Sequence, residues 1–247
     1  MDPVLVLAVA FFAAAVLYAS VGHAGASAYL AAMALVGVAP ATMRPTALAL
    51  NILVASIVTV RFQLAGQLRW RAVAPFLIGS IPLAFLGGFL TLPPGVYKAL
   101  AGAVLLVAAA RLFMTAGREA ATEEPEPRVP TLPAVATGAA IGFISGLVGT
   151  GGGIFLTPLL LFVRWSGAHA AAGMSSVFIL GNSVSGLAGN VAAVQGLPGP
   201  LPAWLAAVAI GGLVGAELGA RRLGTADLRR ALAVVLVVAA SKLILLG

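Results

Sequence analysis

The chain has 247 residues, 61% hydrophobic and 9% charged, with a mean hydropathy of +1.10 and a net charge of +7. A soluble domain carries roughly 25% charged residues, so this chain lacks the polar side chains to cover a water-facing surface and reads as an all-α polytopic membrane protein. Its Lys and Arg stand at the ends of apolar segments with no basic face, which argues against a nucleic-acid partner and assigns them to topology and lipid headgroups; without Cys there are no disulfides and no thiolate chemistry.

A helix needs about 20 apolar residues to cross the hydrocarbon core. The opening stretch, MDPVLVLAVAFF, has no positive region before its apolar run and reads as a retained first helix. In chain order the apolar segments are 4–20, 27–43, 46–62, 72–91 and 96–114. The linker TAGREAATEEPEPRVP follows, with four of the seven acids and three prolines, and is expected to be a flexible surface connection. Five more segments come after it: 131–148, 152–164, 173–191, 201–220 and 228–246.

The two sets match. VGHAG (21–25) aligns with VGTGG (148–152), IGSIPLAFLG (78–87) with IGGLVGAELG (210–219), and KALAGAVLLVAAAR (98–111) with RALAVVLVVAASK (230–242). This predicts a duplication of five segments, with a first repeat over 1–114, a cytoplasmic linker over 115–130 and a second repeat over 131–247. Charge sets their relative orientation. Arg61, Arg69 and Arg71 flank the loop between segments three and four, whereas its counterpart AAVQGLPGPLP carries no charge. The next connection reverses this: TLPPGVYK has one Lys and RRLGTADLRR four Arg. The second repeat is therefore expected to be inverted.

With both termini outside, Arg61, Arg69, Arg71, Arg111, Arg118, Arg128, Arg164, Arg221, Arg222, Arg229 and Arg230 lie on the cytoplasmic side. Arg44, Lys98 and Lys242 lie outside, a ratio of 11 to 3. The expected architecture is 8–10 transmembrane helices in a cell inner membrane. The first two segments of each repeat form either a full hairpin or a shorter re-entrant pair.

Two stretches resist helix: SVGHAGASAY (20–29) and GLVGTGGGIF (146–155). Glycine accepts positive φ and close backbone approach, and a break in the bilayer is tolerated where it faces protein or a wet cavity. Short helices starting near Ser27 and Ile154 would offer free N–H groups and a positive dipole end, which suits an anion.

SVGHAG and GLVGTGGG, each opening a repeat ahead of a polar third segment, resemble the TauE/SafE sulfite-exporter family of membrane proteins. The resemblance covers nearly the whole chain. It implies movement of small sulfur-containing anions, such as sulfite, sulfonates or thiosulfate, by a secondary transporter. The expected binding residues are Gly22, His23, Gly25 and Ser27 at the first break and Gly149, Thr150, Gly151, Gly152 and Gly153 at the second. Thr46, Asn51, Ser175 and Asn182 on the third segments complete the set. Ser175 and Asn182 are seven apart, on one helix face.

Other polar or small residues read more simply. Gly138, Gly142 and Gly146, and Gly211, Gly215 and Gly219, recur every four residues and are expected to pack helices, the second stripe either within the chain or in an oligomer. Ser183 and Ser185 are expected to cross-link helices. Glu217 is expected to pair with Arg221 one turn on, and Arg44 to snorkel at the outer edge. His23 is read either as a carrier of the coupling proton or as a neutral hydrogen-bonding partner; sodium is the other candidate coupling ion. A cation or metal transporter of the same architecture is the alternative, but one intramembrane Glu and one His make a poor cage. No HExxH, GxSxG constellation or P-loop is present, so neither an enzyme nor an ATP-driven pump is expected, and no cofactor.

Overall fold

The structure, a computed structural model, describes residues 2–115, 129–190, 197–220 and 226–245. The helices among them are α1 (Pro3–Ala19), α2 (Ala26–Leu35), α3 (Pro40–Leu64), α4 (Trp70–Phe89), α5 (Pro94–Thr115), α6 (Thr131–Val148), α7 (Gly153–Phe162), α8 (Ala168–Gly189), α9 (Leu201–Ala220) and α10 (Ala226–Leu245). Six are long and apolar enough to cross a bilayer: α3, α4, α5, α6, α8 and α9. The linker residues 116–128, with Arg118 and Arg128, lie outside the described residues, as do Arg221, Arg222 and the side chains of Arg229 and Arg230.

Local chemistry sets the helix ends. Proline opens α1, α3 and α5, where its missing N–H is not needed. Asp2 caps α1 by accepting the Val4 N–H at 2.9 Å. The second apolar segment stops at Leu35, short of its expected end, because the chain turns through Gly37 (φ 80°) and Pro40 starts the next helix. Its counterpart stops at Phe162, just before Arg164 takes a left-handed φ of 56°. Each of these helices has 10 residues and so rises about 15 Å, half of a hydrocarbon core of about 30 Å. Neither α2 nor α7 can cross alone.

Packing exchanges partners along the chain. α4 lies on α6 and α9 lies on α1; α4 also meets α8, and α9 meets α3. α5 pairs with α10, and α3 with α8. The glycine stripes make the close contacts. A β-carbon at Gly138, Gly142 or Gly146 would fall on the carbonyl oxygen of Phe76, Ser80 or Ala84 in α4. One at Gly211 or Gly215 would meet the carbonyl of Phe12 or Val16 in α1. In lipid, such close van der Waals packing does the work that apolar burial does in water. Gly142→Leu should therefore lower stability by about 1–3 kcal/mol, the range for overpacking. Gly95→Leu, at a site with open space around it, should leave the midpoint unchanged. Thermal unfolding of both variants in detergent checks this.

The cations sort to two ends. The Gln67 carbonyl approaches Gly173 near the start of α8, so the α3–α4 loop, flanked by Arg61, Arg69 and Arg71, shares an end with the α7–α8 loop and Arg164. At the other end Lys242 donates to the Leu35 carbonyl at the close of α2 (2.9 Å). Arg44 reaches the carbonyl of Leu90 between α4 and α5 (3.0 Å). Between the ends, Ile78, Phe85, Phe89 and Ile210 stand exposed, as lipid-facing side chains do.

Candidate functional site

The two helix-resistant stretches are breaks of the same kind. Gly25 (φ 104°) caps α2 and Gly152 (φ 84°) caps α7, both in the left-handed region that an L side chain enters only with strain. Gly149 (φ 90°) ends α6, and Gly22 and Gly151 also take positive φ. The first intrahelical bonds are donated by Ala28 to Gly25 (2.9 Å) and by Phe155 to Gly152 (3.0 Å). The N–H groups of Ala26, Ser27, Gly153 and Ile154 come before them and have no acceptor within their own helix.

Both breaks face one small cleft. Its walls are Tyr18, His23, Ala24, Gly25, Ala26, Ser27, Asn51, Thr150, Ile154 and Ile179. The first turns of α2 and α7 therefore converge on one space, although they lie far apart in the sequence. The polar groups there are neutral. Tyr18 Oη and Ser27 Oγ share a hydrogen bond of 2.6 Å. Asn51 Nδ2 lies 3.5 Å from Ser183 Oγ, while Asn51 Oδ1 and Thr150 Oγ1 are buried without a hydrogen-bond partner.

His23, 3% exposed, joins the break of the first half to two helices of the second. Its Nδ1 lies 2.9 Å from the Val21 carbonyl oxygen. Its Nε2 lies 3.0 Å from Arg111 Nη1, 3.0 Å from Thr157 Oγ1 and 3.2 Å from the Gly153 carbonyl oxygen. Thr157 Oγ1 continues to Ser175 Oγ at 2.6 Å. A polar chain thus runs from α5 through the α1–α2 break to α7 and α8.

Of the expected binding residues, His23, Gly25, Ser27, Asn51 and Thr150 line the cleft. Gly151, Gly152 and Gly153 lie behind it: a β-carbon there would meet Ile179, Phe178 and Ile179 in turn. Asn182 Nδ2 donates to the Gly151 carbonyl (3.4 Å), with its Oδ1 unpartnered. Ser175 meets Thr157 and stands one hydrogen bond from His23. Gly22 packs on Ala172, and Gly149 packs on Arg44. Thr46 is fully buried with its hydroxyl unpartnered, away from the cleft walls. Ser185 cross-links α8 to the Ile81 carbonyl of α4 (2.5 Å).

One expected contact is corrected. Arg44 does not snorkel. It is 7% exposed, and its guanidinium donates to the carbonyls of Gly88 (2.8 Å), Leu90 (3.0 Å) and Leu147 (3.4 Å). These are the closing turns of α4 and α6, where carbonyls have no helical partner; a rigid fork with five donors suits them better than water at an interface. Glu217 also lies 3.6 Å from Arg61 on α3, an ion pair between α9 and α3; the pairing expected with Arg221 falls outside the described residues.

Sequence reasoning missed three residues of the site. Tyr18 looked like one more apolar residue of the first segment. Thr157, the one hydroxyl of IFLTPLLLF, carried the only signal that could have exposed it. Arg111 was counted as a topology signal, yet Lys242 stands opposite it in the matched segments, so each repeat closes on a cation.

Comparison with known proteins gives the family. The family described as Sulfite exporter TauE/SafE matches residues 6–243. The "Probable membrane transporter protein y4hK" of Sinorhizobium fredii (strain NBRC 101917 / NGR234) is 47% identical over 239 residues, covering 96% of this chain and 97% of that protein. No solved structure matches.

Proposed function

The chain belongs to the TauE/SafE sulfite exporter family and is a multi-pass membrane transporter, and from that premise we propose that it moves small sulfur-containing anions of the sulfite, sulfonate or thiosulfate type. One observation carries the reading: the first turns of α2 and α7 converge on one cleft. Each brings backbone N–H groups with no acceptor in their own helix and a positive dipole end, which favour an anion. The neutral groups of Ser27, Asn51 and Thr150 fix its orientation, and Ile154 and Ile179 close an apolar wall. Among the described residues no three of His, Asp and Glu come together, whereas a hard cation or transition metal asks for such a set.

The movement is alternating access, driven by gradients and directed outward. Two inverted repeats, 1–114 and 131–247, rock about the cleft. The exchange of partners, α4 on α6 and α9 on α1, supports a pseudo-two-fold relation between them. The end that carries Arg61, Arg69, Arg71 and Arg164 faces the cytoplasm under the positive-inside rule, in the inner membrane, with both termini outside.

Purified protein should be stabilised by a sulfur oxyanion. A ligand at 100 times its dissociation constant adds about 2.7 kcal/mol, which thermal unfolding in detergent reads with sulfite, thiosulfate, taurine, sulfate and chloride. Stabilisation by one of the sulfur compounds and not by chloride names the cargo class. A response to a divalent cation and to no anion would overturn the reading.

A further inference from the structure

Among the described residues, His23 Nε2 has three neighbours, and it has one position to offer. Arg111 is a donor only, since a guanidinium accepts nothing. The Gly153 carbonyl is an acceptor only. Thr157 can take either role. A nitrogen without a proton serves Arg111 and offers nothing to the free lone pair of the Gly153 carbonyl, which otherwise takes the N–H one turn on in α7; a nitrogen with one serves Gly153 and faces Arg111 as a second cation. Both partner sets stand in place at 3.0 and 3.2 Å. The contact with Arg111 calls for a neutral ring, whose Nδ1 proton the Val21 carbonyl would accept.

We propose that His23 is the proton-carrying coupling site of the transporter, and that taking up a proton exchanges its Nε2 partner from Arg111 to the Gly153 carbonyl. This rests on the transporter reading and deepens it. One proton enters from water and bonds to Nε2. The ring becomes an imidazolium, its new N–H donates to Gly153 at the first turn of α7, and Arg111 is turned away. Arg111 is half-buried and stands four residues from Thr115 at the close of α5. Released, its guanidinium becomes a charge-assisted donor for an anion entering beside it. The added positive charge is matched by the anion, which couples the two.

The surroundings bear on this. Among the described residues, the charged or titratable groups facing His23 are Arg111 from α5 and Tyr18 from α1; α7 and α8 present Thr157 and Ser175. Arg44 of α3 is turned to carbonyls at the far ends of α4 and α6. Glu217 is paired with Arg61.

The chain has two histidines, so ring-15N-labelled protein carrying His169→Gln reports His23 alone. Magnetic resonance in lipid should show a neutral ring protonated on Nδ1 at alkaline pH, gaining the Nε2 proton as the pH falls. Arg111→Met, which has no donor, should convert the neutral ring to the Nε2-protonated form, donating to Gly153. A neutral ring protonated on Nε2 in the parent protein, or a spectrum unchanged by Arg111→Met, would overturn the proposal. In proteoliposomes, thiosulfate, which stays ionised across this range, should move with protons in wild type and without them in whatever flux His23→Gln retains. Protons still accompanying that flux would remove His23 as the coupling group. If wild type moves no sulfur anion while the tautomer exchange occurs, the anion reading falls and the exchange at His23 stands.

Discussion

Arg44→Met should lower the thermal midpoint of the purified protein in detergent by roughly 6–12 °C, taking about 3 kcal/mol at 2–4 °C per kcal/mol for a chain of this size. The estimate comes from what the guanidinium holds. Gly88, Leu90 and Leu147 present carbonyls at the closing turns of α4 and α6. In the bilayer there is no bulk water to take over, and each buried acceptor left unpaired costs about 1–3 kcal/mol. The Leu147 contact at 3.4 Å is the weakest of the three and adds least. Arg44→Lys should recover only part of the loss. One ammonium cannot reproduce a planar fork that sends Nη2 to Gly88 and Nη1 to Leu90. A midpoint for Arg44→Met equal to wild type would mean that Arg44 only anchors at the interface, as its position in the sequence first suggested.

Arg44 also shows where sequence reasoning stops. The breaks at Gly25 and Gly152 were legible because runs of glycine in an apolar context can serve little but positive φ or close packing, and the two runs align with each other. The stripes at Gly138–Gly146 and Gly211–Gly215 were legible because spacing by four puts them on one face, whatever that face meets. The partners were not legible. Arg44 bonds to carbonyls 44, 46 and 103 positions away, and a backbone carbonyl leaves no mark on the sequence. Glu217 illustrates the same limit. The residue one turn on, Arg221, was the partner the spacing offered, and the contact with Arg61 on α3 exists because α9 packs there. Thr157 meets His23 across 134 positions, through a contact that exists only once α7 has folded back beside the first break. Periodicity encodes which face is buried; the choice of neighbour belongs to the packing of the whole bundle.

Gly152→Ala should abolish stabilisation by the sulfur anion while the protein stays folded. Two terms separate in this substitution. The first is backbone strain, roughly 1–2 kcal/mol for an L residue in the left-handed region, set by φ 84°. The second is space, since a β-carbon would sit 2.8 Å from Phe178 Cε1 and 3.0 Å from Ile141 Cγ2. Both neighbours are held, Phe178 being fully buried and Ile141 nearly so, so the first turn of α7 has to shift, and its N–H groups with it. Gly37 supplies the control. Its φ is 80° with no atom near the position of a β-carbon, so Gly37→Ala carries the strain and lacks the clash. The two variants should lose similar backbone energy, with Gly152→Ala losing more stability in total and all response to the anion. Gly37→Ala should keep that response at the wild-type concentration. An anion response in Gly152→Ala equal to that of Gly37→Ala would take the α7 terminus out of the site. The cleft would then have to bind through α2, Asn51 and the His23–Arg111 pair alone.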